Sequence, residues 1–343
     1  MMKHAAVKNA AVKFAAVLCF ALIAGFGVGA YAAVPEYTSV GEIAKDENLY
    51  RDFQVQGEYE VTGTQVPVGC NIIAEGSGKF RTAAFKKGLP PASQRGDEKQ
   101  TGTGEINAQG YFVSSTKDSD VQIEFKIAPG TLTAAVKGDS QPVLRKVERK
   151  SPTLGLKAPE GAVVLFADGK ASDLFTKANV NETDKTLWAE AETKPFEKRP
   201  YTLHVEFMTS YMPTARGQGR SNSGVYIDER YECQILDSFG LDGKNNECGG
   251  FYQQAEPKVN MCYPPLQWQT YDIDFAPAKY DADGKKTANA VISVKHNGVV
   301  IHDKFEPKHE TPGRKKEGAE PLGLYLQGHG NKAQYRNIWL KYN

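Results

Sequence analysis

The sequence predicts an all-β protein, with a β-sandwich or jelly roll in its C-terminal part and a small β-rich domain before it. Short segments of alternating apolar and polar residues recur along the 343-residue chain, separated by turn residues. Asn297-Gly298 lies between two such segments and is a strong signal for a two-residue β-hairpin. Helical periodicity is nearly absent. Many short strands joined by tight turns are typical of sandwiches and jelly rolls.

Residues 1–32 have the pattern of a secretory signal peptide. Lys3, Lys8 and Lys13 precede an apolar run over 14–29, and Ala30-Tyr31-Ala32 offers a small-x-small cleavage site. The apolar run is shorter than the roughly 20 residues that a membrane-spanning helix needs. We therefore expect an exported protein, periplasmic or at the cell surface, with no membrane span after cleavage.

Residues 33–150 predict the small β-rich domain. Clean alternation over 53–59 and 121–125 predicts strands, and 71–80 reads as strand, turn and strand. No nucleophile, base or metal-binding constellation occurs in this half. We expect it to support or attach the rest of the protein, and sugar binding is the other role open to it.

A charged, proline-containing stretch over 151–161 predicts a short linker, and the C-terminal domain follows over 162–343. The apolar run 163–166 starts a new core, and 167–170 forms a turn. Eight further strands are predicted over 201–208, 224–227, 231–236, 268–275, 290–296, 299–302, 322–327 and 334–341.

Charge and cysteine content exclude some functions and leave others open. The formal net charge is +1 and no basic block occurs, so we expect no nucleic-acid partner. Cys70, Cys233, Cys248 and Cys262 allow three disulfide pairings, of which Cys248 with Cys262 is preferred, and buried free thiols are the alternative. No paired cysteine or histidine spacing suggests zinc. We predict no cofactor, while a divalent metal stays open.

The segment 220–240 combines a tight turn with two alternating strands and a cluster of polar residues. Glu232 and Gln234 share one face of the second strand, and Cys233 and Ile235 share the other. If consecutive apolar residues at 235–236 form a β-bulge, Asp237 returns to the face of Glu232. We then expect three polar groups on one concave wall; the alternative is a solvated strand face.

The spacing of these three polar residues resembles that of the laminarinase-type glycosidases. Their Glu-x-Asp-x-x-Glu is matched here by Glu232, Gln234 and Asp237. An amide in the middle and a shorter last carboxylate depart from the retaining two-carboxylate mechanism.

A wider set of motifs carries a family resemblance. The motifs include Asn222-Ser223-Gly224-Val225, Tyr231 to Asp237, Gly250-Phe251-Tyr252, Leu326-Gln327-Gly328-His329 and Tyr335-Arg336-Asn337-Ile338. In this order they resemble the 3-keto-disaccharide hydrolase domain family, over roughly 161–343. The whole chain is also similar to exported proteins of planctomycete type. The family resemblance implies a concanavalin-like fold and an enzyme acting on 3-keto-glycosides or disaccharides by proton abstraction at C2, elimination and hydration.

Such a reaction needs a base, a donor to the enolate oxygen and a group that assists the leaving oxygen. Glu232 and Asp237 are the candidate bases or acids. His329 is the third catalytic candidate, because it lies between two glycines that leave room for a ligand. A structural hydrogen bond is the alternative role for this histidine.

Four other residues are candidates for substrate binding. Gln234 can orient the sugar, since an amide both donates and accepts, and Arg230 can donate to the enolate. Tyr252 and Gln327 can meet the sugar ring and its hydroxyls. A non-catalytic carbohydrate-binding or cell-surface protein with a lectin-like sandwich is the alternative function, because concanavalin-like folds host lectins as readily as enzymes.

Overall fold

The computed structural model describes residues 34–62, 67–107, 111–116, 119–128, 131–136 and 143–343. The signal peptide expected over 1–32 lies outside these residues. Strands account for 41% and helices for 6% of the structure, which confirms the all-β class. In the described part of the chain, no helix has the length and apolar character needed to cross a bilayer.

Two short helices precede the first strand. They are α1 (Val40–Ile43) and α2 (Glu47–Val55). The carboxylate of Asp46 caps α2 by accepting hydrogen bonds from the backbone N–H groups of Asn48 and Leu49. The strand expected over 53–59 is therefore wrong at its start: residues 53–55 end a capped helix, and the strand begins only at Gly57.

An eight-stranded antiparallel sheet follows, in the order β7-β6-β5-β4-β3-β2-β1-β8. Its strands are β1 (Gly57–Thr62), β2 (Val68–Gly76), β3 (Lys79–Phe85), β4 (Lys99–Ile106), β5 (Tyr111–Thr116), β6 (Ser119–Ala128), β7 (Thr131–Val136) and β8 (Val143–Val147). The strands predicted over 71–80 and 121–125 are confirmed.

The C-terminal part contains shorter strands joined by turns. They are β9 (Val163–Ala167), β10 (Lys170–Ala171), β11 (Phe175–Lys177), β12 (Val180–Asn181), β13 (Thr186–Trp188), β14 (Ala191–Thr193), β15 (Tyr201–Met208), β16 (Ser223–Ile227), β17 (Tyr231–Ile235), β18 (Gln269–Ala276), β19 (Lys279–Tyr280), β20 (Lys286–Ala288), β21 (Val291–His296), β22 (Val299–Phe305), β23 (Tyr325–Leu326) and β24 (Gln334–Tyr342). A single 3₁₀ turn, Gly217–Gly219, precedes β16 in this part.

Two of the C-terminal sheets enclose the main core. One contains β10-β9-β24-β15-β18-β21-β22, with β13 also paired to β24 and β12 to β13. The other has the order β11-β14-β23-β16-β17. Phe207 and Tyr271 of the first sheet and Val225 and Cys233 of the second belong to one buried apolar cluster. The sheets thus form the predicted β-sandwich, and β19 pairs with β20 beside it.

The predicted hairpin at Asn297-Gly298 is confirmed. Asn297 has φ 50° and Gly298 has φ 78°, the left-handed values that a type I′ turn requires at both central positions. His296 and Val299 pair across the turn, so β21 and β22 form a tight hairpin.

The N-terminal sheet and the sandwich form one compact unit from Val34 to Asn343. Tyr211 of the C-terminal part packs in the N-terminal core with Val55 and Phe80. Arg81 of β3 donates to the backbone carbonyls of Phe239 and Gly240. The loop after β17 is therefore held against the N-terminal sheet, while the domain boundaries at 150 and 162 stay a prediction.

All four cysteines of the described chain are buried free thiols. Cys248 lies with its Sγ 3.2 Å from the Tyr271 hydroxyl. The preferred Cys248 to Cys262 bridge is not formed in this structure, and free thiols, the other expectation, are present.

Candidate active site

The candidate site is built on the hairpin of β16 and β17. Their register runs without a shift from the pair Ser223 and Ile235 to the pair Ile227 and Tyr231. Val225 and Cys233 point into the sandwich core, so the alternating residues Tyr226 and Glu232, which pair across the strands, lie on the opposite face. Strand geometry therefore brings a phenol and a carboxyl group together.

Glu232 is buried, with 4% of its surface exposed. The Tyr226 hydroxyl donates to its Oε2 over 3.1 Å, and the backbone N–H of Glu232 donates to the Thr311 hydroxyl. Its other oxygen, Oε1, has no hydrogen-bond partner among the described residues. Burial raises the pKa of Glu232 to about 7, and the Tyr226 hydrogen bond offsets part of that rise. This carboxyl group can therefore take up or release a proton near neutral pH.

Gly224 makes room for the Glu232 carboxylate. Gly224 precedes Val225 and pairs with Gln234 across the two strands. A Cβ atom built on Gly224 would lie less than 3.0 Å from Glu232 Oε1, which is closer than Cβ atoms approach other atoms in proteins. The missing side chain of this glycine thus provides the space in which the carboxyl oxygen lies.

Gln234 has a fixed amide orientation. Its Nε2 donates to Asn222 Oδ1 over 2.8 Å and to the backbone carbonyls of Ser223 and Ile235. Because the nitrogen is occupied, the carbonyl oxygen is the atom left to accept a hydrogen bond from a ligand.

A pocket of about 280 Å³ lies over this face. Amides, aromatic rings and one carboxyl group make up its polar wall. It is lined by Gln218, Asn222, Tyr226, Glu232, Gln234, Asn246, Tyr252, Pro312, Gln327 and His329. Such a set of planar polar groups beside tyrosine rings suits a polyhydroxylated ligand.

Five of the seven residues expected at the site line this pocket. Glu232 and Gln234 form its buried floor, Tyr252 and Gln327 are half-buried in its wall, and His329 is exposed at its rim. Gln327 donates to the Tyr226 hydroxyl over 3.4 Å, and its Oε1 has no partner among the described residues. The catalytic and binding roles assigned to the five stay predictions.

Asp237 lies outside the pocket, which corrects its assignment to the polar wall. Strand β17 ends at Ile235 without the bulge that the sequence suggested. The Asp237 carboxylate instead accepts a 2.6 Å ion-pair hydrogen bond from buried Arg220. Arg220 also donates to the Ala74 carbonyl of the N-terminal sheet. Asp237 therefore orients Arg220, which connects the segment after β17 to the N-terminal sheet.

Arg230 also lies elsewhere, as a second correction. Its guanidinium pairs with Asp228 and Glu320, each over 2.7 Å, and donates to the Lys316 carbonyl. A buried cation paired in this way fixes the 316–320 loop to the turn between β16 and β17. It is not placed to donate to a ligand in the pocket.

Other lining residues were not identified from the sequence. Asn222 belongs to a motif of the family resemblance. The cross-strand pairing of Tyr226 with Glu232 follows from the alternation of the two strands. Gln218, Asn246 and Pro312 come from separate loops, and no local pattern indicates where such loops meet.

In the described chain, no three His, Cys, Asp or Glu side chains are grouped so that they could hold a metal ion. Near this region, the guanidinium of Arg314 lies 3.9 Å from the centre of the Tyr325 ring and pairs with Glu229. The Tyr325 ring is in turn 5.7 Å from that of Tyr226.

Comparison with known proteins identifies the family. The family model of the 3-keto-alpha-glucoside-1,2-lyase-like domain matches residues 155–341, in agreement with the resemblance of the motifs. A search of curated proteins found no match.

Two solved structures from Parabacteroides distasonis ATCC 8503, both described as candidate glycosyl hydrolases, are similar to the chain. The first has 25% identity, covers 55% of this chain and 86% of its own, and has a TM-score of 0.48. The second has 17% sequence identity and a TM-score of 0.36, and the match covers 54% of this chain and 94% of the second structure's chain. Because the family model spans more than half of the chain, the protein belongs to the 3-keto-alpha-glucoside-1,2-lyase-like family.

Proposed function

We propose that this protein cleaves 3-keto-glycosides by elimination followed by hydration, with Glu232 as the proton carrier. The family indicates a carbohydrate substrate. The observation that carries the proposal is a buried carboxyl group with a pKa of about 7 and one oxygen without a partner among the described residues, at the floor of a polar pocket. A general base is most effective when its pKa lies near the working pH.

In the first half of the reaction, Glu232 removes the proton from C2, which the neighbouring C3 ketone acidifies. The electron pair of the C2–H bond first forms the enolate of the C3 ketone. When the enolate collapses, that electron pair forms a double bond between C1 and C2, and the bond from C1 to the glycosidic oxygen breaks. That oxygen leaves with the bonding electrons and takes up a proton. His329 is exposed at the rim of the pocket, where an imidazole can supply that proton.

In the second half, the oxygen of a water molecule adds to C1, one proton of that water returns to His329, and a proton returns to C2 from Glu232. The net change is one water consumed, one alcohol released and one 3-keto sugar released. The same carboxyl group thus acts first as base and then as acid. Gln234, Asn222 and Gln327 provide amide groups to hold the sugar hydroxyls through both steps.

The composition of the pocket favours a single-base mechanism over the two-carboxylate one. Retaining and inverting glycosidases both need a pair of carboxyl groups across the glycosidic bond. Among the described residues that line this pocket, Glu232 is the one carboxyl group, and Asp237 is engaged with Arg220 outside it. Elimination beside a ketone needs one carboxylate, as the base, rather than a pair of carboxyl groups.

We expect the full-length protein to release alcohol from a 3-keto-glucoside and to leave the same glucoside without the ketone intact. Without the ketone, C2 carries no acidic proton for Glu232 to remove. Product formation from the two substrates, measured side by side by chromatography, checks this. Equal cleavage of both would contradict the elimination. Saturable binding of both with no product over long incubation would support the lectin-like alternative.

We expect kcat/KM for the 3-keto-glucoside to rise with pH along a limb with a pKa of about 7, because Glu232 must be ionised to act as base. The Tyr226 hydrogen bond lowers the pKa of Glu232, so Tyr226→Phe raises that pKa and moves the limb to higher pH. Tyr325→Phe is the matched control, since its ring neighbours Tyr226 without bonding Glu232. A limb that stays in place or moves to lower pH in Tyr226→Phe would rule out this role.

A further inference from the structure

A second and larger cavity, of about 520 Å³, lies where the N-terminal sheet meets the loop after β17. Strands β2 to β4 and the 90–97 loop form one side, and residues 240–244 and 256–262 form the other. Among the described residues, none lines both this cavity and the Glu232 pocket. Its volume is within the range of roughly 300–1,000 Å³ that is usual for small-molecule sites.

Two buried polar side chains line this cavity without satisfying their hydrogen bonds. Asn71 on β2 is 4% exposed and Ser93 in the 90–97 loop is 3% exposed. Asn71 Oδ1 and Ser93 Oγ both lack a hydrogen-bond partner among the described residues. A buried polar atom left without a partner costs about 1–3 kcal/mol. Two such atoms on one cavity indicate that a ligand supplies the missing partners.

Most of the charged groups around the cavity are in ion pairs, and exposed Lys244 is the lining charge without one among the described residues. Arg149 pairs with Glu58, Lys99 with Asp242, and Arg95 with Glu256 over 2.5 Å. Asp97 is paired with Lys87 over 2.6 Å. A charged ligand would have to compete with these pairs, whereas a neutral ligand leaves them intact.

Phe85, Leu241 and Val259 add apolar surface to the polar part of this lining. A neutral ligand that offers several donors and acceptors together with an apolar face fits such a cavity, and a sugar ring has both. We propose that the cavity is a second carbohydrate site, which binds a neutral sugar residue through Asn71 and Ser93. Sugar recognition then gives the N-terminal domain a function that does not depend on the reaction at Glu232.

The loop after β17 lines both sites. Residues 240–244 and 256–262 face the larger cavity, whereas Asn246 and Tyr252 line the Glu232 pocket. A glycan held in the larger cavity therefore contacts the same loop that contributes Asn246 and Tyr252 to the Glu232 pocket.

The test is calorimetric titration of the full-length protein with sucrose, cellobiose and maltose, none of which carries a ketone at C3. We expect saturable binding of at least one of them. Asn71→Leu, which keeps the size of the side chain, should weaken that binding at least about tenfold. It should not lower the melting temperature, because it removes a buried amide oxygen that has no hydrogen-bond partner within the described part of the chain. Ser93→Ala should also weaken sugar binding, and it provides the test of the site if Asn71→Leu does not fold.

Glu232→Gln distinguishes sugar binding in the larger cavity from the proposed reaction at Glu232. It should leave the titration unchanged even though it disables turnover. The second site is overturned if none of the three sugars binds, if Glu232→Gln abolishes the binding, or if Ser93→Ala binds as the wild type does.

Discussion

Glu232→Gln is expected to lower kcat on a 3-keto-glucoside by at least about 100-fold, the low end for loss of a general acid or base. The amide has nearly the shape of the carboxyl group but cannot accept the C2 proton. Glu232 has 4% of its surface exposed and no charged partner among the described residues, so the neutral amide should be accommodated without loss of the fold. Steady-state kinetics on the folded variant, with circular dichroism as the check of folding, measures the effect.

Glu306→Gln is the matched control. It makes the same chemical change at an exposed position after β22, away from the pocket. We expect its kcat to equal that of the wild type. If Glu232→Gln keeps turnover within threefold of the control, Glu232 is not the proton carrier.

Gly224→Ala is expected to cost about 100-fold in kcat without removing any group that touches the substrate, since a misplacement of about 1 Å can have that effect. The added Cβ would overlap with Glu232 Oε1, so the carboxyl group must move away from its position between Gly224 and Tyr226. The comparison of kcat and KM in the two proteins measures this, and we expect the larger change in kcat.

Gly219→Ala provides the comparison for the added methyl group. Gly219 ends the 3₁₀ turn before β16, and no atom of the described residues lies within 4 Å of a Cβ built on it. This variant should be fully active. If Gly224→Ala were as active as Gly219→Ala, the position of the Glu232 carboxylate would not matter for the reaction.

The fold was predictable where local chemistry determines it. Alternation predicted β15 at its observed bounds, and the Asn297-Gly298 pair predicted the turn between β21 and β22. The prediction was wrong where two local signals compete. Residues 53–55 alternate like a strand, yet the capping of α2 by Asp46 extends the helix through Val55.

The candidate site was predictable to the extent that one strand defines it. Glu232 and Gln234 share a face because of the two-residue period of a strand. The position of Asp237 could not be predicted, because it depends on where β17 ends. The ion pair that holds Asp237 outside the pocket is made with Arg220, which lies in another segment of the chain. Loop residues such as Asn246 and Pro312 reach the pocket through tertiary packing alone.

The most direct test of proton abstraction by Glu232 is a kinetic isotope effect at C2. The substrate is a 3-keto-glucoside deuterated at C2, in competition with the unlabelled compound, and the C1-deuterated compound provides the reference. We expect the isotope effect on kcat/KM to be clearly larger for the C2-deuterated substrate than for the C1-deuterated one, because the C2–H bond breaks before the glycosidic bond. Equal consumption of the C2-deuterated and unlabelled substrates, with a marked effect at C1, would contradict elimination and indicate direct cleavage at the anomeric carbon.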